Sequence, residues 1–171
     1  MPKIPIEIIN MQVAYQFAKL SYAARRRVGC VIVKDNQVIS YGYNGTPHGF
    51  DNECEETEIS TFYNREAAEE LGYDGWTPSI DGTHIATRRI TKREVLHAES
   101  NAITKVAKST MSCEGAELYT TTCPCFDCAK LIIQSGIAKV YYTEDYRDMS
   151  GIELLKTAKI DVEQVILWNE L

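Results

Sequence analysis

The sequence predicts an α/β fold: helix-period and strand-period segments alternate along most of its 171 residues, 44% of which are apolar and 25% charged, and no repeat, low-complexity tract or linker divides them. A chain of this length buries roughly 70% of the surface its unfolded form exposes, so packing alone can hold it without a disulfide framework. The expectation is one domain over residues 1–171, with an insertion at about 48–94.

The elements follow in order. Over 6–22, Ile6, Ile9, Val13, Phe17 and Leu20 recur at three- and four-residue intervals, the period of a helix with one buried face. Residues 28–33 are β-rich, 34–37 are polar with Asp35-Asn36 at their centre, and 38–41 resume β-branched and aromatic character. That pattern predicts a hairpin ending in a turn-like stretch at 42–47. Residues 48–94 are acidic and interrupted by Gly72, Gly75, Pro78 and Gly82. No convincing strand appears in them; a short helix near 60–71 and otherwise loop is expected, a surface excursion of the kind that carries function. Beyond it, 97–107 reads as a helix with Ala98, Ala102, Ile103 and Val106 along one side, and 117–121 as a strand. A helix over 125–134 is closed by Ser135-Gly136, then come a strand over 140–143, a helix over 152–158 and a strand over 162–168. Alternation of this kind places helices on both faces of a sheet.

Charge and cysteine usage exclude several classes of function. Eighteen Lys and Arg against 24 Asp and Glu leave a formal charge of −6, which argues against a broad basic surface for polymeric nucleic acid. No apolar run approaches the roughly 20 residues of a membrane span, and the first ten residues have neither the charged nor the apolar region of a secretory leader. A cytoplasmic protein without membrane partners is expected. In that compartment the six cysteines read as thiols or metal ligands, and three of them fall within 123–128.

Two segments carry the chemistry: His97-Ala98-Glu99 at the mouth of one helix and Pro124-Cys125-Phe126-Asp127-Cys128 at the mouth of another. A Cys-x-x-Cys pair alone is open to redox, structural-metal and catalytic readings. Zinc takes nitrogen and thiolate donors tetrahedrally, and catalytic sites keep one position open, so His97, Cys125 and Cys128 supply a three-ligand set. Cysteines three apart at a helix start lie on one face, where the partial positive charge of the N-terminus favours thiolates. His97 and Glu99 stand about 200° apart around an ideal helix. They cannot both aim at one ion from regular helix, so His97 belongs at or before the first turn. Glu99 is a carboxylate that a purely structural zinc site does not need, whereas beside an activated water it can accept a proton. His-x-Glu followed by Pro-Cys-x-x-Cys is the signature of zinc deaminases.

With these motifs in place, the chain resembles the cytidine deaminase superfamily, and most closely its deoxycytidylate (dCMP) deaminases. The resemblance runs through Arg26-Arg27-Val28-Gly29-Cys30, Gly42-Tyr43-Asn44-Gly45, His97 to Glu99, Pro124 to Cys128 and Tyr146-Arg147. It implies a three-layer α/β/α fold with a central mixed β-sheet and a long loop and helix insertion before the first zinc motif. It implies hydrolysis of dCMP to dUMP and ammonia, supplying dUMP for thymidylate synthesis, with one catalytic Zn²⁺ and Glu99 carrying protons. Asn44 matches a position that hydrogen-bonds the substrate sugar, although on residue chemistry alone it also reads as a turn residue with positive φ. Arg26, with Arg25 as the alternative, and Tyr146 and Arg147 match phosphate-holding positions; the three-arginine run also reads as a solvated face. Similar enzymes are hexamers activated by dCTP and inhibited by dTTP, which points Gly42, Tyr43, Asn44 and Gly45 toward effector binding, with Mg²⁺ beside a triphosphate, in a homo-oligomer. A second, structural zinc is not expected, because only Cys54, with His84 as a distant candidate, remains of its ligands. The rival expectations are a zinc deaminase acting on tRNA adenosine or free cytidine, and a zinc-stabilised binding module without catalysis.

Overall fold

The computed structural model describes residues 3–167. A first helix, α1 (Ile6–Ala18), precedes the hairpin of β1 (Gly29–Lys34) and β2 (Gln37–Tyr43), whose turn residues Asp35 and Asn36 have φ of 50° and 60°. Two consecutive left-handed residues make the turn whose twist matches a hairpin, and Asp and Asn tolerate that region best after Gly. Later come α3 (Ala98–Ala107), β6 (Glu117–Thr122), α4 (Phe126–Gln134), β7 (Lys139–Glu144), α5 (Ser150–Thr157) and β8 (Asp161–Gln164). The last strand is shorter than expected, and Trp168 lies outside the described residues.

Five strands form one mixed sheet in the order β2-β1-β6-β7-β8. Strand β1 runs antiparallel to both neighbours, while β6, β7 and β8 are parallel. Strand periodicity divides the core between the two faces. Cys30, Ile32, Leu118, Val140 and Tyr142 point toward α3, α4 and α5, whereas Val31, Val33, Tyr119 and Tyr141 pack with Met11 and Ala14 of α1. The three-layer arrangement is therefore present, and burial on both faces explains why β1 reads as an unbroken apolar run. Among the described residues no helix is long and apolar enough to cross a membrane.

Residues 48–94 correct the sequence-based expectation. A helix, α2 (Arg65–Glu70), does form there, capped by the Asn64 side chain accepting from Ala67 N at 2.8 Å. Around it, β3 (Glu55–Phe62), β4 (Gly75–Pro78) and β5 (His84–Thr91) make a second, antiparallel sheet in the order β3-β5-β4. These strands are short of large apolar residues, which hid them from a search for hydrophobic alternation. What holds them is a full backbone ladder, β-branched residues, and a charge pair set directly across it: Glu58 is the register partner of Arg88, and their side chains form an ion pair. One face covers a small core of Ala68, Tyr73 and Ala86 with Phe62 and Trp76.

Gly42 lets β2 approach α3 at backbone distance. A Cβ there would collide with the Ala98 carbonyl and lie 2.6 Å from the Ala102 nitrogen. Gly42→Ala is expected to lower stability by about 1–3 kcal/mol, read as a lower denaturant midpoint, while Gly45→Ala, which meets nothing within 4 Å, leaves the midpoint within the error of the melt.

Candidate active site

Helices α3 and α4 both begin where an extended residue turns into helix. His97 (φ −77°, ψ 157°) and Cys125 (φ −70°, ψ 170°) are the two N-caps, and neither side chain bonds back to its own helix. Both therefore project beyond their helix ends, as the spacing of His97 and Glu99 requires. A two-way backbone bridge, Gly45 N to Leu96 O at 3.1 Å and Leu96 N to Gly45 O at 2.9 Å, ties the residue before His97 to the end of β2. On the other side Pro124 is fully buried, and its carbonyl meets Gly151 of α5 at a distance no Cβ would permit.

The consequence is a cluster of nitrogen and sulfur donors. His97 Nδ1 lies 3.4 Å from Cys125 Sγ and 3.5 Å from Cys128 Sγ, and all three donor atoms fall within 4.8 Å of one another. Zinc bonds of about 2.3 Å to sulfur and 2.0–2.1 Å to nitrogen at tetrahedral angles place N and S about 3.6 Å apart. The observed edges match that figure, so the residues fit the ion. Among the described residues this is the one such group of three; Cys54 and His84 join no other. A hydrogen bond from the Cys128 thiol drops the Cys125 thiol to about 4, and the same bond with burial pushes Cys128 far up. Hydrogen bonding to Cys125 raises His97. The pair therefore favours its negative charge on Cys125.

Glu99 lies one residue into α3 and is 4% exposed. Burial raises its carboxyl to about 7. It shares a cavity of about 310 Å³ with His97, Cys125, Asn44, Arg25, Arg26, Tyr146 and Arg147. Cys128 stands behind the cavity wall, 3% exposed. Both amide atoms of Asn44 are engaged: Oδ1 accepts from Val28 N at 2.8 Å and Nδ2 donates to Arg26 O at 2.9 Å. It is not among the residues with positive φ, so the turn reading gives way to that of a staple on the arginine segment. One donor and one lone pair of the amide remain for a ligand. The Arg26 and Arg147 guanidiniums approach the Tyr146 ring at 6.0 and 5.8 Å. Gly42, Tyr43 and Gly45 do not line the cavity; they serve the packing and bridge described above, with Tyr43 O accepting from Asn101 Nδ2 at 2.8 Å.

The family model for the cytidine and deoxycytidylate deaminase zinc-binding region matches residues 8–144. The chain belongs to this family. It is 36% identical to the deoxycytidylate deaminase of Enterobacteria phage T4 over 91% of its own length and 87% of the phage protein's. It is 36% identical to the deoxycytidylate deaminase of Saccharomyces cerevisiae over 94% of its length, but spans only 45% of that longer protein. It also resembles the crystal structure of the dCMP deaminase of cyanophage S-TIM5 in complex with dCMP and dUMP, with a TM-score of 0.73, 35% identity, and coverage of 96% of this chain and 100% of that one.

In this deaminase-family chain the cavity also contains residues that the motifs did not reveal. Glu55, Thr91 and Val95 come from the excursion and its exit. Glu55 Oε1 accepts from Ala24 N and Arg25 N at 3.0 and 3.1 Å, joining the small sheet to the arginine segment. No local signal could have found it, since the bond spans 30 residues. Asn44→Asp retains an acceptor for Val28 N but turns a second oxygen toward Arg26 O. Both Asn44→Asp and Asn44→Ala are expected to cost about 1–3 kcal/mol in urea unfolding; a neutral result for Asp would remove the staple.

Proposed function

We propose that this chain hydrolyses dCMP to dUMP and ammonia. The observation that carries the reading is that one cavity joins His97 and Cys125 of a nitrogen and two-sulfur donor set, with Cys128 just behind its wall, and a buried carboxylate to a rim of two guanidiniums around a tyrosine. His97 Nδ1, Cys125 Sγ and Cys128 Sγ would hold Zn²⁺. When bound, the metal supplies Lewis acidity that brings the ionisation of water toward neutral pH. Glu99 takes the proton from the attacking water as its oxygen adds to C4 of the cytosine ring. The same carboxylate delivers protons to N3 and to the departing amine, so that C4–N breaks as ammonia leaves. Asn44 holds the arginine segment and offers its free donor to the sugar. Arg26 and Arg147 present N–H groups to the 5′-phosphate, with Tyr146 between the arginines and the base end and Arg25 alongside.

A mononucleotide is favoured over tRNA by the net charge of −6. Regulation by dCTP and dTTP through Gly42 to Gly45 and assembly into hexamers belong to the same reading and rest on the family resemblance alone; Mg²⁺ would enter only to offset the charge of a bound triphosphate.

Glu99→Gln is expected to retain one zinc per chain by metal analysis while kcat for dCMP falls at least about 100-fold, the usual scale of a lost general base. Wild-type turnover in that variant would remove Glu99 from the chemistry, and an absence of turnover in the wild-type chain would leave a binding module. Arg147→Ala is expected to raise KM for dCMP about tenfold or more, as for a lost charge-assisted hydrogen bond, and to change KM for deoxycytidine far less. Equal effects on both substrates would withdraw the phosphate assignment.

A further inference from the structure

Behind the cationic rim stands a carboxylate that the reaction does not use. Glu144, the last residue of β7, accepts from Arg26 Nη2 at 2.7 Å through Oε2 and from the Tyr15 hydroxyl of α1 at 3.2 Å through Oε1. Its backbone is fixed as well, since its carbonyl accepts from Cys123 N at 2.8 Å, two residues before Cys125. The Tyr15 hydroxyl also lies 2.8 Å from Thr143 Oγ1, whose own proton goes to Thr121 O at 2.7 Å, so the single Tyr15 proton is shared between Thr143 and Glu144. Arg26 lines the cavity but Glu144 and Tyr15 do not. The carboxylate thus grips the guanidinium from behind, through a single nitrogen, and leaves its remaining N–H groups for the cavity.

From this geometry we infer that Glu144 is a positioning residue for the anion-binding end of the site, holding Arg26 beside Tyr146 before the nucleotide arrives. The inference rests on the phosphate reading of Arg26 given above. An arginine on the segment before β1 has no helix or strand to fix its side chain, and ordering it only upon binding would subtract from affinity. Glu144 removes that loss by fixing the side chain in advance. Because the pair is half exposed, with side-chain exposures of 40% and 50%, the effect is modest in size. It is also specific: it acts on the phosphate through Arg26 and leaves the base and sugar untouched. A carboxylate competing with phosphate for Arg26 would show the opposite sign.

The test measures dUMP and deoxyuridine binding to the zinc-loaded protein by calorimetry. Arg26→Ala is expected to weaken dUMP about tenfold or more and deoxyuridine by less than about twofold. Glu144→Ala is expected to weaken dUMP roughly three- to fivefold with little change for deoxyuridine, and Glu144→Gln, which keeps an acceptor oxygen, recovers most of that loss. On the Arg26→Ala background, Glu144→Ala changes dUMP binding no further, as required of a residue acting only through Arg26. Glu144→Asp preserves charge and is the safer variant for folding; its carboxylate, drawn back by one methylene, reaches Arg26 poorly and weakens dUMP in the same direction. Unchanged or tighter dUMP binding in the Glu144 variants, with Arg26→Ala still selective, would overturn the inference and leave the phosphate reading standing. Equal losses of dUMP and deoxyuridine in Arg26→Ala would overturn both.

Discussion

All the polar groups of the cavity except Glu55 and Thr91 are held at one edge of the five-stranded sheet, and the reversed direction of β1 is what makes this possible. Strands β2, β6 and β7 end at that edge, and β1, antiparallel to β2 and β6, begins there, so that Cys30 faces Gly42 on one side and Thr120 on the other. Arg26 precedes β1, Asn44 follows β2, Cys125 follows β6, and Tyr146 and Arg147 follow β7. Four segments, from Arg26 to Arg147, are thereby brought to a single cavity. Helices α3 and α4 then start at the same edge, and their free N–H groups and partial positive charge face the sulfurs.

Such convergence buries polar atoms, and the sheet end supplies their partners. Strand β6 finishes in three consecutive buried threonines. Thr121 Oγ1 accepts from Gly29 N at 3.2 Å, Thr121 O accepts from Thr143 Oγ1, and Thr120 Oγ1 donates to Thr122 O at 3.0 Å. A hydroxyl at these positions replaces ladder bonds lost where the strands part company around the cavity. An isosteric valine would leave those backbone groups unpaired, at about 1–3 kcal/mol for each buried one. The rigid frame and the chemistry of the site therefore draw on the same residues.

Much of this was legible in the sequence because its signals are local. The period of α1, the Asp35-Asn36 turn, the apolar run of β1, and the two motifs at His97 and Cys125 all lie within a few residues of one another. Even the entry of His97 ahead of its helix followed from the angle between positions 97 and 99. The second sheet was not legible, because its strands are written in Glu, Thr and Arg and are stabilised by pairs such as Glu58 with Arg88, which only the fold brings together. Glu55 and Glu144 escaped for the same reason: their partners lie 30 and 118 residues away. Asn44 was found by its motif, but its two bonds to the segment at 26–28 depend on the hairpin having formed.

The excursion deserves to be understood as part of the site. Cys54 at its start and Val95 at its end are buried against Ala23, and the Cys54 carbonyl accepts from Lys92 N at 2.9 Å. The two ends of the insertion are thus clipped together beside the arginine segment, and the closed sheet between them cannot drift without moving Ala23. Glu55 completes the attachment by accepting from the two backbone N–H groups that follow Ala23. The same few residues, Glu55, Thr91 and Val95, form one wall of the cavity. A flexible loop of this length would have left that side open to solvent and the arginines unordered. By folding as a sheet with both ends joined, it adds a wall to the end of the five-stranded sheet and sets Glu55 in the same cavity as Arg26 and Arg147.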